Sequence, residues 1–258
     1  MGSNGPRPHC STELDFPPVF GETHDLVVYL GRNRKYNWQM AKVTEFPHPY
    51  VTVDVLIFSI IEDELNILLI KRSNEPFKGK FALPGGFVAV EENLDAAVIR
   101  VIKTKAGMAG IYVEQLYSFG EIKRDPRGRV ISIAYLALVP EERTKIVNDE
   151  VHTIEWFKVN KLPPLGFDHK RIIEAGFNRL KSKLDYSNIA VGLMSQRFGL
   201  GGLQRVYETI LGRPLDKRNF RKKMLSLDLL KEVGESKGGR HRPSKLYSFE
   251  SSKPVFFK

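Results

Sequence analysis

The sequence predicts an α+β protein made of two folded parts, and three observations support this prediction. Between Tyr50 and Leu162, runs of β-branched and apolar residues alternate with turn residues, which is typical of strands. One amphipathic helical pattern interrupts these runs, which favours a sandwich of strands and helix. Beyond Pro163 the chain is basic, and short helical patterns precede two further strand patterns. We therefore expect an N-terminal extension over residues 1–46, a sandwich domain over residues 47–162 and a basic domain over residues 163–258.

Composition excludes several classes of protein. Of the 258 residues, 42% are hydrophobic and 27% are charged, as in ordinary globular domains. No apolar run approaches the roughly 20 residues that a membrane helix needs, and residues 1–10 lack the apolar core of a signal peptide. The single cysteine, Cys10, rules out an intramolecular disulfide. We therefore expect a cytoplasmic protein with no membrane partner.

The net charge of +10 is distributed unevenly along the chain. From Pro163 onward, 20 Lys and Arg stand against 9 Asp and Glu, a net charge of +11, whereas residues 1–162 hold 20 and 21, a net charge of −1. This asymmetry indicates a polyanionic partner for the last third of the chain. A basic solvated surface is the alternative, and charge alone does not decide between the two.

Secondary structure is predicted more clearly in the sandwich domain than in the N-terminal extension. Before Pro47, Asp25–Leu30 fits a short strand and Arg32–Ala41 a turn of helix, with packing or a dimer contact as their default role. Val51–Ile61 and Leu65–Lys71 are dense in apolar residues, and the polar turn between them makes the pair a hairpin. Further strands are expected at Tyr112–Ile122, Arg129–Val139 and Glu155–Phe157.

A helix is predicted between these strands. Apolar residues recur at helical spacing, and Gly107 can end the helix as a left-handed cap. The recurring residues are Leu94, Ala97, Val98, Val101 and Ile102. After Pro163-Pro164, a second helical stripe over Asp168–Leu184 predicts a connecting helix that leads into the basic domain.

The first helix carries the spacing of a known motif. Gly86 is followed after five residues by Glu92 and after seven more by Arg100, and Leu83-Pro84-Gly85-Gly86-Phe87 precedes the helix. This stretch resembles the Nudix box, and the resemblance extends over about residues 50–162. The family's active members use three glutamates on this helix to hold a divalent metal against a diphosphate.

Those three positions hold Val101, Thr104 and Lys105 in this sequence. Hard cations need carboxylate oxygens, which valine lacks, and each charge of a dication about 4 Å from a lysine would be repelled by roughly 4 kcal/mol. We therefore expect no metal, no cofactor and no metal-dependent hydrolysis, so that the protein is not an enzyme. Glu91, Glu92 and Asp95 suit the helix N-terminus instead.

A hydrolase with non-standard acids stays open as an alternative. Glu114, Glu121 and Asp125 come from other segments and could gather near the cleft of such a fold. This enzyme would act on ADP-ribose or another nucleoside diphosphate derivative.

A Nudix-like domain without its acids can still bind a ligand. Guanidinium groups near the box can hold phosphate, and aromatic rings can form a wall for a base or sugar. Core packing is the competing interpretation for the rings, and a solvated turn for the arginines. The candidate ligand-binding residues are Arg72, Phe77, Gly85, Gly86, Phe119, Arg124, Asp125 and Arg127.

The basic domain has the order of elements found in DNA-binding proteins. A short helix is predicted to end at Gly212, and Asp216 can cap a second helix whose core face is Phe220, Met224 and Leu227. Two helices with a tight turn, the second basic on its outer face, match a helix-turn-helix. A basic loop between strands at Leu229–Val233 and Lys245–Phe249 then fits a wing. The candidate DNA-binding residues are Lys217, Arg218, Asn219, Arg221, Lys222, Lys223, Arg240, His241, Arg242 and Lys245.

Both halves together resemble the NrtR type of Nudix-related transcriptional regulators. The matching stretches include Lys71–Phe77, Leu83–Phe87, Arg124–Gly128, Phe220–Lys223 and Gly239–Tyr247. The resemblance implies a Nudix-like α/β/α sandwich followed by a winged helix-turn-helix domain. It also implies a homodimer that represses at a palindromic double-stranded DNA operator and leaves it when ADP-ribose or a related sugar metabolite of NAD metabolism binds. An RNA surface and a binding module for a protein partner are the competing functions.

Overall fold

The computed structural model describes residues 48–145, 153–236, 244–251 and 253–257. The strand expected at Asp25–Leu30 and the helical turn expected at Arg32–Ala41 lie outside these residues. No helix in the part of the chain that the structure describes is long and apolar enough to cross a membrane.

The hairpin expected from the sequence forms the centre of the first sheet. Strand β1 (Tyr50–Ile61) pairs antiparallel with β2 (Glu64–Lys71). The turn residues Glu62 and Asp63 have φ angles of 52° and 59°, which a two-residue hairpin turn requires at both positions. Both strands are confirmed.

Seven strands form one mixed sheet within the described residues. Its interior is the parallel pair of β1 and β6 (Val130–Leu138), and the pairs around it are antiparallel. The stretch Leu83–Phe87, which precedes the first helix, contains a short strand that pairs with β1. The remaining strands are β3 (Phe81–Ala82), β4 (Gly85–Phe87), β5 (Tyr112–Phe119) and β7 (Ile154–Lys158).

Two helices cover the two faces of this sheet, which confirms the α/β/α sandwich. Helix α1 (Leu94–Ala106) begins at the cap Asn93 and ends at Gly107, whose φ is 65°. The buried face of α1 packs against Val53, Val55 and Ile57, which alternate along β1. Helix α2 (His169–Tyr186) covers the opposite face, where it shares a core with Leu56 and Phe58 of β1.

The role of α2 differs from the sequence-based expectation of a helix that only connects two domains. Ile172, Ile173 and Leu180 are at most 1% exposed and share a core with β1 and β6. At Gly176, an added Cβ would lie 2.4 Å from a methyl carbon of Leu56, so this glycine allows the close approach to the sheet. The helix is therefore a layer of the sandwich as well as a connection.

The basic part folds as two helices and a small sheet. Helix α3 (Leu200–Leu211) ends at Gly212 with φ 69°, and α4 (Lys217–Ser226) begins at Asp216, whose carboxylate accepts the Asn219 backbone N–H. Strand β10 (Lys245–Phe249) lies between β8 (Phe198–Gly199) and β9 (Leu230–Glu235). Short 3₁₀ turns occur at Glu141–Arg143 and Ile189–Leu193. The expected helix-turn-helix and hairpin strands are confirmed.

Candidate functional sites

A cleft of about 440 Å³ opens beside the sheet, between strand β4, the turn after β5 and the start of α2. Six of the eight residues predicted to bind ligand lie in its wall: Arg72, Gly85, Gly86, Arg124, Asp125 and Arg127. The other lining residues are Thr52, Asp54, Asn74, Ala82, Leu83, Phe87, Lys105, Phe167 and His169.

The floor of the cleft is built on the buried carboxylate of Asp54. The Ser132 hydroxyl donates to Asp54 Oδ2, and His169 Nε2 lies 3.7 Å from Oδ1. At Gly85, an added Cβ would lie only 2.2 Å from Asp54 Oδ1. A glycine is therefore needed for β4 to pair with β1 over this carboxylate.

His169 is fixed in a neutral form under the cleft. Its Nδ1 accepts a hydrogen bond of 2.9 Å from the Leu83 backbone N–H, so Nδ1 carries no proton. Burial lowers the pKa of His169 below its usual value, although Asp54 and Asp168 oppose this shift. The imidazole therefore braces the wall of the cleft.

Arg124 has a structural contact where the sequence predicts a ligand contact. Its side chain is 2% exposed, and its Nε and Nη2 donate to the two carboxylate oxygens of Asp168 at 3.1 and 2.7 Å. Its Nη2 also lies 3.6 Å from Asp54 Oδ2. This ion pair joins the turn after β5 to the start of α2. The sequence does not predict it, because the two residues are 44 positions apart.

Two other arginines share one aromatic ring at the mouth of the cleft. The guanidinium carbons of Arg72 and Arg127 lie 4.9 and 5.5 Å from the ring centroid of Phe167. Asp125 holds Arg127 by two hydrogen bonds, of 3.0 and 2.7 Å, and raises its pKa. Burial, followed by the charge of Arg127, lowers the pKa of Arg72. Two fixed guanidinium groups beside an aromatic ring suit a phosphorylated ligand with a planar or apolar part.

Phe77 and Phe119 do not line this cleft, so their predicted ligand role is corrected. Phe77 packs behind Phe167, with ring centroids 4.9 Å apart. Phe119 is 6% exposed and belongs to the core. Phe167, His169 and Asp54 line the cleft although they were not predicted to do so from the sequence. The run Gly166–His169 at a helix start was a usable signal, but the domain boundary assumed at Leu162 hid it.

The Nudix-box helix presents no carboxylate set to the cleft. Val101 is 1% exposed in the core, and the Thr104 hydroxyl donates to the Arg100 carbonyl at 2.8 Å. Lys105 lines the cleft. In the residues that the structure describes, no group of three His, Cys, Asp or Glu side chains could hold a metal ion. The donor set of this site therefore does not fit the divalent metal of active Nudix proteins.

The acidic residues that could replace the missing glutamates each contact a basic residue of the chain. Glu92 pairs with Arg100, and this hydrogen bond lowers the pKa of Glu92 to about 2. Glu114 accepts from Tyr112 and from Lys183, and Glu121 lies 3.5 Å from Arg171 outside the cleft. Of the three substitutes considered for hydrolysis, only Asp125 lines the cleft, where it holds Arg127.

A second candidate site is the outer surface of α4. Phe220 and Met224 are 7% and 4% exposed and anchor the helix, with Phe220 in edge contact with Tyr207. By 100° steps, Arg218 and Lys222 lie on the side of the helix opposite this anchor, and Asn219 and Arg221 lie on its two flanks. The exposed candidates on α4 are Lys217, Arg218, Asn219, Arg221, Lys222 and Lys223.

Two of these residues turn toward the body of the protein. Asn219 and Lys223 line a recess of about 400 Å³ between α4, α3 and the end of α2. Lys223 Nζ lies 5.8 Å from the ring centroid of Phe257. The flank of α4 that carries Asn219 and Lys223 is therefore partly engaged within the chain.

The wing is described in its strands. Lys245 on β10 donates to Glu232 on β9 at 2.7 Å, and this bond raises the pKa of Lys245. Arg240, His241 and Arg242 lie outside the described residues.

Comparison with known families gives two matches along the chain. A family described as NUDIX domain matches residues 51–176, which includes the first part of α2. A family described as NrtR DNA-binding winged helix domain matches residues 190–249.

Individual proteins are also similar to this chain. The ADPR responsive transcriptional repressor NtrR of Acinetobacter baylyi is 39% identical over 210 residues, which cover 80% of this chain and 84% of the repressor. The ADP-ribose pyrophosphatase of Methanocaldococcus jannaschii is 40% identical over 156 residues, 60% of this chain and 86% of that enzyme.

Solved structures of one further protein are similar. Shewanella oneidensis NrtR in complex with a 27mer DNA has a TM-score of 0.70 and 34% identity, covering 78% of this chain and 93% of that chain. Its NUDIX domain in complex with ADP ribose has a TM-score of 0.50 and 33% identity, covering 55% of this chain and 94% of that chain.

Proposed function

The chain belongs to the NrtR-type family of Nudix-domain transcriptional regulators, and from this premise we propose that it is a repressor that binds operator DNA and responds to ADP-ribose. The observation that carries the proposal is the outer surface of α4, where Arg218 and Lys222 are exposed opposite a buried anchor and Arg221 is exposed beside them. A cationic second helix of this motif is the element that enters the major groove.

The side chains on this face suit two kinds of DNA contact. Arginine binds the edge of guanine through two hydrogen bonds, whereas lysine more often holds phosphate. We assign base contacts to Arg218 and Arg221 and a phosphate contact to Lys222. Two copies of the chain would place two such helices on a palindromic site.

The cleft is the proposed ADP-ribose site. Arg72 and Arg127 would hold the diphosphate, since their forks are fixed by carbonyl oxygens and by Asp125. Phe167 and Phe87 offer ring surfaces beside them. Metabolites that share the nucleoside diphosphate and sugar groups are the related candidates.

Helix α2 connects the cleft to the DNA-binding domain, so it could transmit the effect of ligand binding to α4. It begins at His169, which lines the cleft, and its last turn packs in one core with α3 and α4. A ligand that shifts the start of α2 would change the support of the recognition helix. We propose that ADP-ribose favours the state with lower operator affinity and so releases the DNA.

We further propose that the cleft binds ADP-ribose without hydrolysing it. Support comes from Val101 in the core, Thr104 bonded within its helix and Lys105 in the wall. The 40% identity to an ADP-ribose pyrophosphatase makes hydrolysis the second candidate. Incubation with Mg²⁺ and ADP-ribose should release no AMP; turnover that disappears in Asp125→Asn would contradict this proposal.

The DNA contact is tested by operator-shift titration of full-length protein. Arg218→Ala and Arg221→Ala should each weaken specific binding by about 1–3 kcal/mol, roughly fivefold to 150-fold. Arg179→Ala is a matched control, because it removes the same charge from an exposed position on α2. Equal affinities for all four proteins would refute the assignment to α4.

We propose a cytoplasmic location because the proposed function requires access to operator DNA. The homodimer is likewise a proposal, which sedimentation of the protein with and without operator would test.

A further inference from the structure

Two buried hydroxyl groups on β1 make no hydrogen bond among the residues that the structure describes. They are Thr52 Oγ1 and Ser59 Oγ. A buried hydroxyl without a partner destabilises the fold, so each such group needs an explanation. The surroundings of the two differ: Ser59 is fully buried, whereas Thr52 lines the cleft.

The neighbours of Thr52 leave its hydroxyl without a partner. Thr52 and Asp54 lie on the same face of β1, because strand side chains alternate. The Cα partners of Thr52 are Phe87 on β4 and Ser132 on β6. The Ser132 hydroxyl already donates to Asp54, and Phe87 has no polar side-chain atom.

A molecule in the cleft can supply the missing partner. Thr52 is 8% exposed, and this exposed part faces the cleft that it lines. Threonine occupies more than one χ1 rotamer, and rotation between them exchanges the methyl group with the hydroxyl. The hydroxyl can thus be directed to the cleft without movement of the strand.

We infer that Thr52 is a specificity-determining residue, whose hydroxyl forms a hydrogen bond with a sugar hydroxyl of the ligand beside the Asp54 carboxylate. This inference rests on the proposed binding of ADP-ribose in the cleft. A threonine hydroxyl both donates and accepts, and a carboxylate accepts. A sugar hydroxyl suits this pair, whereas a phosphate would meet the negative charge of Asp54. The phosphates belong instead with Arg72 and Arg127.

The experiment measures ADP-ribose affinity by calorimetry on full-length wild type, Thr52→Val, Thr52→Ser and Ser59→Ala. Thr52→Val keeps the shape of the side chain and should weaken binding on the order of tenfold. Thr52→Ser keeps the hydroxyl and should bind within about threefold of wild type. Ser59→Ala removes the matched hydroxyl away from the cleft and should leave the affinity unchanged.

Thermal melting without ligand separates this role from a structural one. Thr52→Val and Ser59→Ala should both melt at or above the wild-type temperature, because each loses a buried hydroxyl that has no partner. Lower melting temperature together with unchanged affinity in Thr52→Val would overturn the inference.

Analogues of ADP-ribose that each lack one ribose hydroxyl identify the group that is bound. For one analogue, the loss of affinity for wild type should equal the loss that Thr52→Val causes in the binding of ADP-ribose. Thr52→Val should bind this analogue and ADP-ribose with equal affinity, because the contact is already absent. Normal ADP-ribose binding by Thr52→Val would refute the role of Thr52 and leave the proposed function intact. A wild type that binds no ADP-ribose would refute the proposed function itself.

Discussion

The cations of the cleft and the cations of α4 differ in what they contact. Arg124 is 2% exposed and is paired with Asp168, and Arg127 is held by Asp125. On α4, by contrast, Arg218, Arg221 and Lys222 are exposed, and their side chains make no hydrogen bond or ion pair with any described residue. Basic side chains are therefore held by carboxylates in the cleft and are unpaired on α4.

This difference corresponds to two kinds of anionic partner. Fixed guanidinium groups lose little conformational freedom on binding, which suits a small ligand that offers few contacts. Unpaired exposed cations can adjust to a DNA backbone, where their gain comes from the release of counterions. The comparison predicts that removal of a buried, paired cation such as Arg124 lowers stability, whereas removal of an exposed cation of α4 lowers DNA affinity and leaves stability nearly unchanged.

The largest expected effect is on stability, at Arg124. Arg124→Leu leaves the buried carboxylate of Asp54 and the partly buried carboxylate of Asp168 without their cation and should lower the free energy of unfolding by about 3–5 kcal/mol. Arg218→Ala should change it by no more than about 0.5 kcal/mol. Urea denaturation of the full chain measures both. Equal losses for the two variants would remove the distinction between the regions.

The next effect concerns ligand affinity, at Arg127. Arg127→Ala should remain folded, although less stable because the buried Asp125 carboxylate loses a partner, and should lose a charged contact to the diphosphate of about 1.5–3 kcal/mol, roughly tenfold to 150-fold. Arg129→Ala is the control, because Arg129 contacts the carbonyls of Gly120 and Glu121 away from the cleft. Calorimetry with ADP-ribose measures the difference. An Arg127→Ala variant that binds like the control would exclude this arginine from the site.

Local signals in the sequence were sufficient for most of the fold. The β1–β2 hairpin, the Gly107 end of α1 and the Asp216 cap of α4 each depend on residues within a few positions of one another. The cationic face of α4 followed in the same way, because about half a helical turn separates Arg218 and Lys222 from Phe220 and Met224.

The cleft could be predicted only in part, because its contacts join distant segments. Arg124 meets Asp168 across 44 positions, and His169 meets Leu83 across 86. Helical periodicity predicted α2 but could not say which surface it would cover. Phe167 was missed for this reason, and Arg124 was assigned to ligand because its partner at the start of α2 could not be foreseen.

A smaller effect separates two neighbouring lysines of α4. Lys222 projects outward, whereas Lys223 Nζ lies 5.8 Å from the ring of Phe257. If Lys222 neutralises one phosphate, Lys222→Ala should reduce the slope of log affinity against log salt by about 0.9. Lys223→Ala should reduce it by less. Operator titrations at several salt concentrations measure the slopes, and a larger reduction for Lys223→Ala would reverse the assigned orientation of α4.

The smallest effect tests whether a fixed cation at the surface behaves like those in the cleft. Arg100 on α1 holds Glu92, and this bond lowers the pKa of Glu92 from an ordinary value of 4.5 to about 2. Because the pKa is depressed in the folded state, the pair stabilises the fold fully above pH 4.5, and this contribution disappears as the pH falls toward 2. Glu92→Gln should therefore melt at a slightly lower temperature than wild type at pH 7 and at a nearly equal temperature near pH 2.5.

Glu91→Gln supplies the matched control for this measurement, because it removes the same charge from an exposed neighbouring position and leaves the Arg100 pair intact. Its melting temperature should follow that of wild type across the whole range. The expected difference is small, since surface ion pairs contribute little and are screened by salt. A Glu92→Gln deficit that stays constant down to pH 2.5 would mean that the charge of Glu92 does not stabilise the fold, and would contradict the role assigned to its pair with Arg100.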